Sequence, residues 1–161
     1  MRSELTTALA WPDFAAKAPE LAERGARLLR DFTLGYLATL RGDGSPRVHP
    51  VTVTVTDTGL YIYGVSSTPK VADLRRDARY AMHAFPTFDD EGFRDDEFAF
   101  GGSAEEIDDR SLYEAVAELH NDTIHAGDPM FRLDLSWAVH KRREQGRGPV
   151  YLRWSAPRSP A

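Results

Sequence analysis

The chain has 161 residues and a net charge of −5, from 20 basic and 25 acidic side chains. That length suits a single domain with its own core, and the mild acidity argues against nucleic acid or an anionic membrane as a partner. The chain has no cysteine, which excludes disulfides, thiolate metal sites and cysteine nucleophiles, and no apolar run approaches the roughly 20 residues of a membrane helix.

The start, Met1 to Ala10, is short and carries Glu4, so it does not read as a secretory signal, and a cytoplasmic setting is expected. The first predicted element is a helix over about residues 12–32. Pro12 suits its first turn, and Phe14, Ala18, Leu21, Leu28 and Phe32 recur at roughly helical spacing, with Gly25 weakening the middle. Leu34 to Leu40 then reads as a strand, and Arg41-Gly42-Asp43-Gly44-Ser45-Pro46 as a turn. From Arg47 to Thr56, Val51, Val53 and Val55 alternate with Thr52, Thr54 and Thr56, the period of a half-buried strand. Pro50 marks an edge or a bulge. With Leu60 to Val65 these strands predict an antiparallel meander.

Thr68 suits an N-cap and Pro69 an N1 position, so a short helix is predicted over Pro69 to Arg76. Tyr80 to Phe85 reads as a strand, Asp89 to Asp96 as a solvated acidic loop, and Glu97 to Ala104 as a further strand. Asp108 or Asp109 caps a helix carrying Leu112, Tyr113, Val116 and Leu119. Met130 to Val139 and Pro149 to Trp154 are the last strand candidates, with the basic run Lys141 to Arg147 as a loop between them. Short connections favour antiparallel pairing, and closing such a sheet into a small barrel removes its edges. A doubly wound parallel sheet would need helices between nearly all strands.

Tyr63-Gly64-Val65-Ser66-Ser67-Thr68-Pro69-Lys70 runs from a strand end, through small hydroxyl residues, into a helix N-terminus with a lysine in its first turn. Free amides and the helix dipole there suit a phosphate. The same residues also fit an ordinary capped helix with an exposed lysine. Arg47 could reach a phosphate or a flavin edge, or be a strand-edge charge. His49 could donate to a heterocycle or act as an acid/base group, or be a satisfied, partly buried histidine. His120 to His125 reads as a surface loop rather than a zinc site.

Leu34 to Val51, then Ser67-Thr68-Pro69-Lys70-Val71-Ala72-Asp73-Leu74-Arg75-Arg76, then Glu97 to Ala104 with its closing Gly-x-Ala, together resemble the pyridoxamine 5′-phosphate oxidase-related split barrels that bind FMN or F420. The resemblance spans about Phe32 to Ala104. It implies a mainly β, α+β fold: a six-stranded antiparallel split β-barrel with flanking helices, one domain over 1–161. It also implies a homodimer, with FMN as cofactor and F420 as the alternative, haem standing behind both. The cofactor-binding set it implies is Arg47, Val48, His49, Pro50, Tyr63, Gly64, Ser66, Ser67, Thr68 and Lys70. Arg47 and His49 are the catalytic candidates, and no metal is expected. Arg75 and Arg76, with Lys70, could serve the acidic tail of F420. His49, His83 and His140 are the candidate haem ligands. Glu97 stands where the family often has a glutamine, and Thr52 where the true oxidases have a lysine. Those oxidases also carry a C-terminal Arg-x-His motif, which residues 126–161 lack. The expected activity is therefore flavin-dependent oxidation or reduction of a small molecule other than the vitamin phosphate, or else binding of a flavin or haem without turnover.

Overall fold

The computed structural model describes residues 7–88, 96–144 and 146–157. The N-terminal helical stretch is two helices, α1 (Trp11–Lys17) and α2 (Pro19–Phe32), not one. Ala18 sits between them at φ −139° and ψ 61°, because the ring of Pro19 disfavours the helical region for the residue before it. Gly25 is buried on α2, and a Cβ there would fall 2.4 Å from the Phe98 ring. Its role is close helix–sheet approach, which outweighs its poor helix propensity.

Eight strands follow: β1 (Leu34–Leu40), β2 (Pro46–Thr52), β3 (Thr54–Val55), β4 (Leu60–Tyr63), β5 (Arg79–Ala84), β6 (Asp96–Glu106), β7 (Met130–Glu144) and β8 (Gly148–Ser155). Helix α3 (Pro69–Arg76) lies between β4 and β5, and α4 (Arg110–Ala117) between β6 and β7. The sheet runs β2-β1-β5-β6-β7-β4-β3, with β8 added to β7, and every pairing is antiparallel. The strand at one end, β2, and the strand at the other, β3, are separated in the chain only by Val53. The sheet must therefore curl until its two edges meet, which closes the barrel.

This corrects two expectations. The described residues form eight strands rather than six, since the stretch 47–56 divides and β7 gains a partner in β8. The predicted meander is also broken, because Val53 leaves the ladder and donates its N–H to the Thr33 carbonyl at 2.7 Å. Val51, Thr52, Val53 and Thr54 are all buried, so the Val/Thr alternation does not separate core from solvent. The threonines tolerate burial because their hydroxyls have partners: Thr52 Oγ1 donates to Asp122 Oδ2 at 3.2 Å, and Thr54 Oγ1 lies 2.7 Å from His120 Nδ1.

Asp96, expected in a solvated loop, opens β6 and is buried, held by Arg27 Nη2 at 2.5 Å. The rest of that acidic stretch, 89–95, lies outside the described residues. The basic run is strand rather than loop up to Glu144: Lys141 and Arg142 pair across the ladder with Glu97 and Asp96. Asp109 caps α4 by accepting the Leu112 N–H at 3.0 Å. The core packs α1 and α2 on the barrel around Phe14, Leu28, Leu29, Phe98 and Phe100, and a smaller cluster of Tyr61, Tyr63, Val116 and Met130 seats α4. Among the described residues no helix is long and apolar enough to cross a membrane.

Candidate functional site

The end of β4, the turn 65–68 and the start of α3 come together as the sequence predicts. Gly64 allows it, since a Cβ there would fall 2.6 Å from Val71 Cγ2. Thr68 is extended and precedes Pro69 at N1, but its side chain does not cap the helix: Oγ1 donates to the Val65 carbonyl at 2.7 Å. The Ser66 amide is also engaged, donating to Asp128 Oδ1 at 3.2 Å. Ser66 and Ser67 are exposed and Lys70 is half-buried. An anion at this turn would therefore meet Lys70 and the serine hydroxyls rather than a full set of free amides.

Arg47 and His49 pair across the sheet with Thr39 and Leu37, both fully buried, whereas Val48 and Pro50 face the other way and are exposed. Arg47 Nε donates to Asp73 Oδ2 at 2.8 Å. Asp73, on α3, is 3% exposed and also accepts from Thr39 Oγ1 at 2.9 Å and Arg76 Nη2 at 2.9 Å. Burial alone would raise its carboxyl, but the bonds from Arg76, Arg47 and Thr39 outweigh burial and hold it down at about 2. His49 is pushed below its ordinary value, first by burial and then by the charges of Lys70 and Arg47, so the ring is neutral near pH 7. Its Nε2 is buried without a hydrogen-bond partner among the described residues.

At the β4–α3 turn lies a small cavity of about 100 Å³. Pro50, Thr52, Tyr63 and Lys70 line it from the barrel, and His120, Asp122 and Asp128 from the segment after α4. Tyr63 donates to the Tyr113 carbonyl at 2.8 Å, and its hydroxyl is pushed up to about 12 by burial and then by Tyr113. The His120 ring lies against Tyr63 with centroids 4.7 Å apart, and burial holds it neutral. Of the sequence-predicted residues, Pro50, Tyr63 and Lys70 line this cavity, whereas Arg47, Val48, His49, Gly64, Ser66, Ser67 and Thr68 do not.

The stretch from His120 to His125 is a mostly exposed loop, as the sequence predicts, and within it His120 and Asp122 form one wall of the cavity. Arg75 is held bidentately by Glu106, at 2.8 and 2.7 Å, and Arg76 by Asp73 and the Leu40 carbonyl. His140 is 1% exposed, with Nε2 2.6 Å from Asp96 Oδ1, and His83 Nδ1 lies 2.6 Å from the Ala84 carbonyl. Glu97 binds Lys141 Nζ at 2.9 Å. The buried acids Asp73 and Asp128 were missed. The one signal for Asp73 was its place between the apolar Val71 and Leu74 on a helix rich in arginine.

Burial also lowers His140, so three histidines are depressed in the folded state. On unfolding each would regain its ordinary value of 6.5. The unfolded chain then binds more protons below that pH, so this stability is present above about 6.5 and is lost as the pH falls through the folded values. Thermal melts in matched salt should show a lower Tm at about pH 5.5 than at pH 7.5, before depressed carboxylates such as Asp73 titrate. A flat Tm across that window would contradict the burial of these rings.

Among curated proteins none matches this sequence. Solved structures share the fold at low identity. A NimC/NimA family protein from Clostridium acetobutylicum aligns with TM-score 0.60 and 17% identity, covering 84% of this chain and 93% of that one. A heme binding protein from Mycobacterium smegmatis aligns with TM-score 0.64 and 18% identity, covering 82% of this chain and 57% of that one. A protein described as an F420 reductase aligns with TM-score 0.54 and 17% identity, covering 70% and 93%. The pyridoxamine 5′-phosphate oxidase family model matches residues 21–139, most of the barrel including the turn, Arg47 and Lys70, and the chain belongs to that family.

Proposed function

We propose that this protein is an FMN-dependent oxidoreductase acting on a small molecule, with its site completed in a homodimer. The observation that carries the reading is the buried His49 Nε2, which has no partner among the described residues and on whose ring the charges of Lys70, at the β4–α3 turn, and of Arg47 act. Two cations and two serine hydroxyls suit a phosphate monoester, and a neutral imidazole with a spare nitrogen suits the polar edge of a heterocycle. The redox chemistry comes with the bound flavin. Lys70 and Arg47 hold the phosphate, His49 orients the ring through one hydrogen bond, and Tyr63 and His120 wall the cavity against water. The true vitamin-phosphate oxidation is not proposed, because residues 126–161 lack the Arg-x-His motif of those oxidases and Thr52 stands where they have a lysine.

The apoprotein, mixed separately with FMN, F420 and hemin and then desalted, should retain the flavin absorption spectrum after FMN. F420 and hemin are included because proteins bearing those descriptions share the fold. Retention of F420 alone, or a Soret band, would replace the FMN reading. The FMN-loaded protein should then be reduced by a nicotinamide donor and reoxidised by an acceptor; a flavin that is retained but never cycles would leave a carrier rather than an enzyme.

The dimer is supported by the outer face of β1, β2 and β5. There Tyr36 stacks near Phe85 at 5.6 Å, Phe85 near Phe32 at 6.3 Å, and Tyr36 and Val48 are 43% and 62% exposed. An apolar patch of this kind is usually covered. Sedimentation should give the mass of two chains, and Tyr36→Glu should shift it to one. A wild-type monomer at micromolar concentration would remove the dimer from the account.

A further inference from the structure

Asp73 is almost wholly buried and accepts three hydrogen bonds, from a different element each time: Thr39 on β1, Arg47 on β2 and Arg76 on its own helix α3. Its oxygens are divided in a way that matters. Oδ1 is taken by Arg76, so Oδ2 meets Arg47 side-on through Nε alone. A carboxylate gripping Arg47 through the usual two-pronged fork would consume one of the terminal nitrogens as well. Here both Nη groups are left without a hydrogen bond among the described residues. Two arginines against one carboxylate also leave this cluster positive, next to Lys70 and a neutral His49.

We infer that Asp73 is a positioning residue: it clamps Arg47 through Nε and presents the two Nη groups to the phosphate monoester of the cofactor. The inference deepens the FMN reading and rests on it. Arginine has several free torsions, and a ligand that had to order them would bind more weakly; a clamp from beneath removes that cost before the ligand arrives. The same carboxylate belongs to the helix that carries Lys70, so the two cations keep a constant spacing. A carboxylate under an anion site would otherwise repel the ligand, and it is tolerated because its charge is fully engaged.

The test compares FMN with riboflavin, which has the same ring and ribityl chain but no phosphate, in the wild-type protein and in Arg47→Ala, Asp73→Ala, Asp73→Asn and the Arg47→Ala/Asp73→Ala double variant. Asp73→Ala should weaken FMN by about tenfold, the scale of one charge-assisted contact, while riboflavin affinity stays unchanged. Asp73→Asn keeps an acceptor oxygen for Arg47 and should recover part of that loss, and it serves if the alanine variant fails to fold. The double variant should bind FMN no more weakly than Arg47→Ala alone, because Asp73 acts only through that side chain. Losses that multiply, an equal fall for riboflavin, or tighter FMN binding once the carboxylate is gone would each overturn the role of Asp73. Unchanged FMN affinity in Arg47→Ala would instead overturn the phosphate reading on which the role depends.

Discussion

Gly102→Ala should destabilise the barrel by about 3 kcal/mol or more, the scale of severe overpacking where nothing can move. In the β6–β7 ladder Gly101 pairs with Trp137 and Gly102 with Leu135, so Ser136 bulges out of register. A Cβ on Gly102 would stand 2.1 Å from the Asp134 carbonyl oxygen and 2.8 Å from the Ser136 nitrogen. Both are backbone atoms of a central strand, and neither can swing aside as a side chain would. Relief requires opening the bulge, and β7 is the strand that joins β4, β6 and β8. Urea unfolding should show the loss as a much lower midpoint, while Ser103→Ala, one residue on, should stay within about 0.5 kcal/mol of the wild type. An alanine variant at 102 within about 1 kcal/mol of wild type would mean that the bulge is not built as described.

Lys70→Ala should weaken FMN binding by about 1–3 kcal/mol, the range for losing a charge-assisted phosphate contact. Lys70 is the cation that both lines the cavity and acts on His49. Because the Ser66 amide is held by Asp128, the turn has fewer free donors to compensate for the lost charge. Folding should be little affected: Lys70 stands in the first turn of α3, where a positive charge opposes the helix dipole. The variant should therefore separate binding from stability, with an unchanged melting curve and a raised Kd. Unchanged FMN affinity would refute the assignment of this turn to phosphate.

Local signals explain what was legible in the sequence. The turn after β1, the proline at the start of α3 and the Asp109 cap each depend on one or two residues whose backbone preference decides the matter. The errors arose where tertiary partners override a local rule. Thr52 and Thr54 looked like solvent-facing strand positions, and only Asp122 and His120, far along the chain, make their burial tolerable. Lys141 and Arg142 looked like loop, because charge runs usually are; Glu97 and Asp96 across the ladder make them strand. In the candidate site, the turn and the place of Lys70 at the start of α3 could be read from their spacing, since the proline at N1 is a local signal. Asp73 could not, because an acid on a short helix reads as exposed until Thr39 and Arg47 from two other strands are seen to meet it.

The most direct test of the central claim is an equilibrium titration of the wild-type apoprotein with FMN, followed by quenching of flavin fluorescence. Saturation is expected at about one FMN per chain, with riboflavin binding clearly more weakly because Lys70 and Arg47 have no phosphate to hold. Absence of saturable FMN binding, or equal affinity for the two flavins, would contradict it.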